Sequence, residues 1–188
     1  MKLEQINTLV ERLRKSDIFP KMKPLQAAIV IKAIDEIGVR ESPKNSNRGK
    51  RVDEYKAATT LDPKQAWPWC AAFVCFIVRE AMNKCGIKQT ATFKRPTTAG
   101  AWDFIRWSKE QDNTTSTIVS PKAKDIQPGD IIVFKFSHIG IATSTANTSG
   151  IFQCCEGNTD ENGSREGGGV YSKKRDIASV KARIRFNC

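Results

Sequence analysis

The hydrophobic pattern of this 188-residue chain changes period once, at Pro128-Gly129. Before that dipeptide, apolar clusters at 25–37 and 71–82 run at helical spacing. After it come short runs rich in Val, Ile and Phe, at about 130–136, 139–145, 151–156, 169–171 and 182–187, separated by glycine-bearing loops. Helical segments first and strands afterwards do not make an alternating parallel sheet. The order predicts an α+β fold, with N-terminal helices packed on a C-terminal antiparallel sheet. The length suits one domain whose core needs neither disulfides nor metal.

Punctuation sets the expected boundaries. Leu3, Ile6, Leu9, Val10 and Leu13 share one helical face, and Pro20 and Pro24 follow, so residues 1–23 read as a short helical extension before a domain at 24–188. Pro24 sits in the first turn of a core helix that stops at Gly38. Residues 41–52 are dense in turn formers and charge and read as an exposed loop. Helices are expected from Cys70 to Lys84 and from Thr98 to about Lys109, the second with Trp102 in the core.

Lys and Arg outnumber Asp and Glu by 31 to 20, a net charge of +11 that favours a polyanionic partner. Nucleic acid and bacterial envelopes both qualify on charge. The basic residues are scattered, however, with no zinc-finger spacing and no RNA-binding aromatic motif, which argues against nucleic acid. No apolar run approaches the roughly 18 residues of a membrane span, so no stable membrane insertion is expected. Met1 to Asn7 mixes charge with apolar residues and has no small-residue cleavage site. The expectation is synthesis in the cytoplasm without a signal peptide and delivery to the site of action by other means.

Six cysteines, at 70, 75, 85, 154, 155 and 188, form no Cys-x-x-Cys pair, which argues against structural zinc. Cys75, inside an apolar helical run, reads as a small buried hydrophobe. Cys70 differs because it follows Trp67-Pro68-Trp69 and opens Ala71-Ala72-Phe73-Val74, placing it at a helix N-terminus. Unpaired N–H groups and the helix dipole there favour a thiolate and can hold an oxyanion. His138 is the only histidine and lies at the polar tip between two strand-like runs, which makes it the sole imidazole base available. Glu156 and Asn158 alternate onto one face of the next strand, and either can accept a hydrogen bond from the second ring nitrogen. Trp67 and Trp69, beside the candidate nucleophile, are candidates for lining a substrate groove.

Three ordered segments, Trp69-Cys70-Ala71-Ala72-Phe73-Val74, Gly129-Asp130-Ile131-Ile132-Val133-Phe134 leading to His138-Ile139-Gly140-Ile141-Ala142, and Glu156-Gly157-Asn158-Thr159, resemble the CHAP domain. That family comprises cysteine, histidine-dependent amidohydrolases and peptidases, papain-like and related to the NlpC type. The resemblance runs from about Ile34 to Phe186 and takes in Glu36-Ile37-Gly38-Val39-Arg40-Glu41, Gly167-Gly168-Gly169-Val170-Tyr171 and Arg175. It implies a papain-like fold with Cys70 as nucleophile, His138 as base and later acid, Glu156 as the residue orienting His138, and Asn158 at a fourth polar position. Gln65 resembles the oxyanion-stabilising glutamine of papain-like enzymes.

The resemblance further implies a peptidoglycan hydrolase, either an amidase between sugar and stem peptide or an endopeptidase within the peptides. A phage lysin, a wall-remodelling enzyme and an injected toxin all fit, with an immunity or inhibitor protein or delivery machinery, such as a phage holin or a contact-dependent injection machine, as candidate partners. The alternatives are a non-catalytic binding module of the same fold and a Cys/His hydrolase of another amide. No cofactor is expected. Some members bind calcium, but Asp53-Glu54 and Asp160-Glu161 lack calcium-loop spacing, so no metal is expected either.

Overall fold

The computed structural model describes residues 22–111 and 114–188. The expected helix at 3–15 lies outside them. Among the described residues, four α-helices precede or flank a six-stranded antiparallel sheet: α1 Pro24–Asp35, α2 Lys50–Lys56, α3 Cys70–Lys84, α4 Asp103–Lys109, β1 Thr115–Val119, β2 Ile131–Phe134, β3 Ile139–Ala142, β4 Ile151–Thr159, β5 Gly169–Asp176 and β6 Val180–Phe186. The strand order is β1-β6-β2-β3-β4-β5, and the fold is α+β, helices on sheet, as the pattern predicted. No described helix is long and apolar enough to cross a membrane.

The sheet is buried on both faces, and the period-2 alternation sorts its residues. Ile131, Val133, Ile139, Ile141 and Cys155 join the helices in the main core, while Ile132, Phe134, Ala142, Phe152 and Cys154 form a smaller cluster on the other side. Pro24 starts α1 with a backbone dihedral already suited to a helix, and Leu25, Ile29, Val30, Ala33 and Ile34 are buried against α3 and the sheet. Helix α3 runs through the centre and buries Cys70 through Val78 without interruption.

Three local expectations fail for identifiable reasons. Helix α2 begins inside the stretch read as loop, because only Val52 and Tyr55 supply an apolar signal among its charged residues. Helix α4 starts at Asp103 rather than Thr98, since the Thr98 hydroxyl accepts the Gly100 N–H and holds a turn instead. Trp102 is 46 % exposed rather than core; its indole N–H donates to the Phe134 carbonyl at 2.9 Å, and the Lys181 ammonium lies 4.7 Å from its ring. Strand β1, made of Thr, Ser, Ile and Val on the sheet edge beside β6, also escapes the sequence pattern.

Two close approaches bring the helical and sheet layers into register. A side chain on Gly157 would meet Phe73 at 2.7 Å and Trp69 at 2.8 Å, so glycine there lets the N-terminal turn of α3 settle directly on β4. A side chain on Gly140 would meet the Glu156 Cγ at 2.6 Å, so glycine on β3 makes room for a carboxylate crossing from β4.

Candidate active site

Cys70 is the first residue of α3, with Trp69 at the N-cap, and the Trp69 carbonyl accepts the Phe73 N–H at 2.9 Å. The N–H groups ahead of Phe73 have no carbonyl four residues back within the helix. Trp69 itself is anchored at both of its nitrogens. Its backbone N–H donates to Asn158 Oδ1 at 2.9 Å and its indole N–H to Glu41 Oε1 at 2.8 Å. Its ring lies 5.5 Å from that of Tyr55, whose hydroxyl donates to Glu36 at 2.6 Å. The residue before Cys70 is therefore fixed from three directions.

His138 enters from the opposite layer. The β2–β3 connection turns through Ser137, at φ +57°, and the Phe134 N–H closes it on the His138 carbonyl at 2.9 Å. The imidazole is fully buried and stacks beside Phe134 and Phe136, with ring centroids 6.1 and 5.9 Å away. Its Nε2 lies 3.0 Å from Glu156 Oε2, and Cys70 is near enough to act on the charge of the ring. Neither ring nitrogen has a well-aligned hydrogen-bond partner among the described residues, so the Nε2–Glu156 approach is close in distance but off the N–H direction. Resting sites of this kind commonly align only when substrate is bound.

Glu156 is clamped from behind. Arg175 on β5 donates Nε–H to Oε1 at 2.7 Å and an Nη2–H to Oε2 at 2.5 Å, and also reaches the Gly163 carbonyl at 3.0 Å. This two-pronged pairing fixes the carboxylate plane. The Arg175 guanidinium also lies 5.3 Å from the Phe134 ring and 5.2 Å from that of Phe136, against the same aromatic pair as His138. The sequence signal for Arg175 was its place in the closing segment of the family resemblance, without a role.

Electrostatics follow from this order. Burial alone would depress the His138 pKa, but contact with Cys70 and Glu156 outweighs it and lifts the imidazole to about 9. Burial would raise Glu156, yet Arg175 and His138 together hold it below its ordinary value. Burial pushes Cys75 up to about 12 and raises Cys154 and Cys155 well above the usual thiol range.

The remaining candidates fall elsewhere. Asn158 does not reach His138; its amide is spent on the Trp69 N–H, the Gly167 carbonyl and Asn47. Trp69 is 0 % exposed and cannot line a substrate groove, because the core claims its ring and Glu41 its indole N–H. Trp67 is half-buried, with its indole N–H on the Asp62 carbonyl at 2.9 Å. Gln65 is exposed, and its amide bonds to Asp62 rather than to the start of α3. No group of three or more His, Cys, Asp or Glu side chains suited to a metal ion occurs among the described residues.

No family model and no curated protein matches the sequence. Among solved structures, the chain is similar to the crystal structure of a wild-type endolysin, LysIME-EF1, at a TM-score of 0.50 and 17 % identity, covering 87 % of this chain. The chain spans 64 % of that endolysin's length. At this identity the likeness is one of fold.

Proposed function

We propose that the chain hydrolyses an amide bond of peptidoglycan through Cys70, His138 and Glu156. The observation that carries this reading is one ordered group of side chains: a cysteine at a helix N-terminus that acts on the charge of a buried imidazole, a carboxylate 3.0 Å from Nε2, and an arginine holding that carboxylate by two bonds. The fold likeness to an endolysin supports the choice of substrate class. So does a net charge of +11, which favours an anionic envelope.

In this mechanism the proton shared by the pair resides on His138 at neutral pH, as its raised pKa favours. The Cys70 sulfur attacks the amide carbonyl carbon, and the carbonyl oxygen gains charge facing the N–H groups of the first turn of α3. The C–N bond then breaks as His138 gives its proton to the departing amine, leaving a thioester. Water attacks the thioester carbonyl and passes a proton to His138. The sulfur departs, a carboxylic acid is released, and the resting pair is restored. Glu156 stabilises the imidazolium at each stage, and Arg175 is a positioning residue that acts through Glu156.

Digestion of purified sacculi tests the reading. The wild-type chain is expected to release new amino groups, and mass spectrometry of the fragments identifies whether the bond lies at the sugar or within the peptide. Folded protein that releases no amine from intact sacculi would contradict it. A Cys70→Ala variant that retained the full biological effect would favour a binding module instead.

A further inference from the structure

Glu41 and Asn158, the two residues that hold Trp69, share a cavity of about 190 Å³ with Asn45, Asn47, Glu166 and Gly167. It adjoins a groove of about 800 Å³ that shares Glu41, Asn45, Glu166 and Gly167 and extends past Asp160 and Tyr171. Glu41 is 8 % exposed, and its two oxygens differ. Oε1 accepts the Trp69 indole N–H, whereas Oε2 is buried without a hydrogen-bond partner among the described residues. A buried acceptor left unpaired is costly, so such an atom marks a place where a donor is missing.

That atom lies beside Gly168. A side chain built there would lie 3.5 Å from Glu41 Oε2 and 3.6 Å from Asn45 Oδ1, so two acceptors converge on the space a glycine leaves open. Two neighbouring carboxylates have partners already. Asp160 accepts the Asn162 and Ser164 N–H groups at 2.9 and 3.0 Å, and Glu166 pairs with Arg165 at 2.6 Å. Arg40 and Lys44 also line the groove, but the Arg40 guanidinium is spent on the Val39 and Val170 carbonyls and the Tyr171 ring, and no donor among the described residues reaches Glu41 Oε2.

We infer that the Glu41 cavity binds a primary ammonium group of the peptide substrate. The inference rests on the hydrolase reading for the carrier of that group, though not for the site itself. An ammonium brings one positive charge and three donors, which match one free carboxylate oxygen and adjacent amide oxygens. A divalent cation would need a richer set of oxygens than two carboxylates, one of them already paired, and no three-residue acidic or His/Cys cluster is present among the described residues. Because Glu41 and Asn158 both hold Trp69, an ammonium seated here is registered against Cys70 one residue away. The ammonium can be a diamino-acid side chain or a free peptide N-terminus, and the chemistry of the site is the same for both.

The test measures binding by calorimetry in the full chain carrying Cys70→Ala, so that no turnover intervenes. Three probes are compared: the tripeptide L-Ala-γ-D-Glu-L-Lys, the same peptide acetylated on the lysine side chain, and the same peptide acetylated at its N-terminus. Acetylation of at least one ammonium is expected to weaken binding about tenfold, and which one does so identifies the source. Adding Glu41→Gln, whose amide oxygen still accepts the Trp69 indole N–H, should erase that difference with the thermal melt retained. Gly168→Ala, which fits at ordinary contact distance, should weaken the unmodified peptide alike. No binding of the tripeptide, equal binding of all three probes, or a difference that survives Glu41→Gln would overturn the inference. So would calcium chloride binding that Glu41→Gln abolishes. Discrimination among the probes without hydrolysis of sacculi by the wild type would overturn the hydrolase reading and leave the site; hydrolysis without discrimination would do the reverse.

Discussion

At the scale of single residues, the site depends on a buried charge that is compensated from two sides. Glu156 is fully buried between His138 and Arg175, so Arg175→Ala leaves a carboxylate with one partner where two were needed. Stability is expected to fall by about 3–5 kcal/mol in denaturant titration, as for other broken buried pairs. The acid limb of the pH–rate profile should move upward as the Glu156 carboxyl loses its guanidinium, while Arg175→Lys restores part of the shift. A purely structural role for Arg175 would lower stability without moving that limb. Cys70 and His138 were legible in the sequence because helix start and strand tip each fix a side chain's direction; strand alternation left Glu156 and Asn158 on one face, and only the family resemblance singled out Glu156. Arg175 had only a place in the family resemblance: the β4–β5 register sets it opposite Phe152, and the reach of its side chain to Glu156 is visible only in the fold. Trp69 was misread for a related reason. Adjacency to Cys70 says nothing of which side of the helix start faces the core, and Tyr55 and Glu41 settle that from distant segments.

At the scale of elements, the geometry of the proposed site depends on how closely α3 rests on β4. Gly157→Ala would place a methyl carbon 2.7 Å from Phe73 and force the helix start away from the sheet. Overpacking of this kind costs about 1–3 kcal/mol, and the larger expected effect is on the reaction, since Cys70 leads the displaced turn. Thermal melting and hydrolysis rate measured together check this: a drop in melting temperature with an unchanged rate would show that the contact is structural only. Elements with strong periodic burial, α1, α3 and the five strands β2 to β6, were legible as elements, although β4 and β5 extend beyond their expected ends. Helix α2, the late start of α4 and strand β1 were not. Their order comes from tertiary partners: Glu36 accepts hydrogen bonds from Arg51 and Tyr55 on α2, and Ser108 at 2.9 Å from Thr115 joins α4 to β1.

At the scale of the whole molecule, two buried titrations set the stability profile with opposite signs. His138 has a folded pKa of about 9 against an ordinary 6.5, so its contribution is complete below 6.5 and is lost as pH rises through about 9. Burial opposes ionisation of Glu36, but Arg51, Lys32 and Tyr55 outweigh it and lower its pKa from 4.5 to about 2. Its contribution is present above 4.5 and is lost as pH falls through about 2. Stability from these two groups is therefore greatest between about 4.5 and 6.5, and chemical unfolding across pH should show the alkaline loss shrink in His138→Ala. Net charge acts at the same scale. Adsorption of the Cys70→Ala chain to sacculi should weaken as salt rises past physiological strength, where the screening length is about 8 Å; salt-independent adsorption would place recognition in local contacts.

The pairing of Cys70 with His138 underlies the whole account, and alkylation tests it most directly. Cys70 is 7 % exposed and Cys188 lies in the open, so accessibility alone favours Cys188. With the rate of iodoacetamide labelling followed at each thiol by mass spectrometry near neutral pH, the account predicts that Cys70 reacts faster than Cys188 and that His138→Ala removes the advantage. Faster labelling of Cys188 in the wild type, or a Cys70 rate unchanged by His138→Ala, would contradict it.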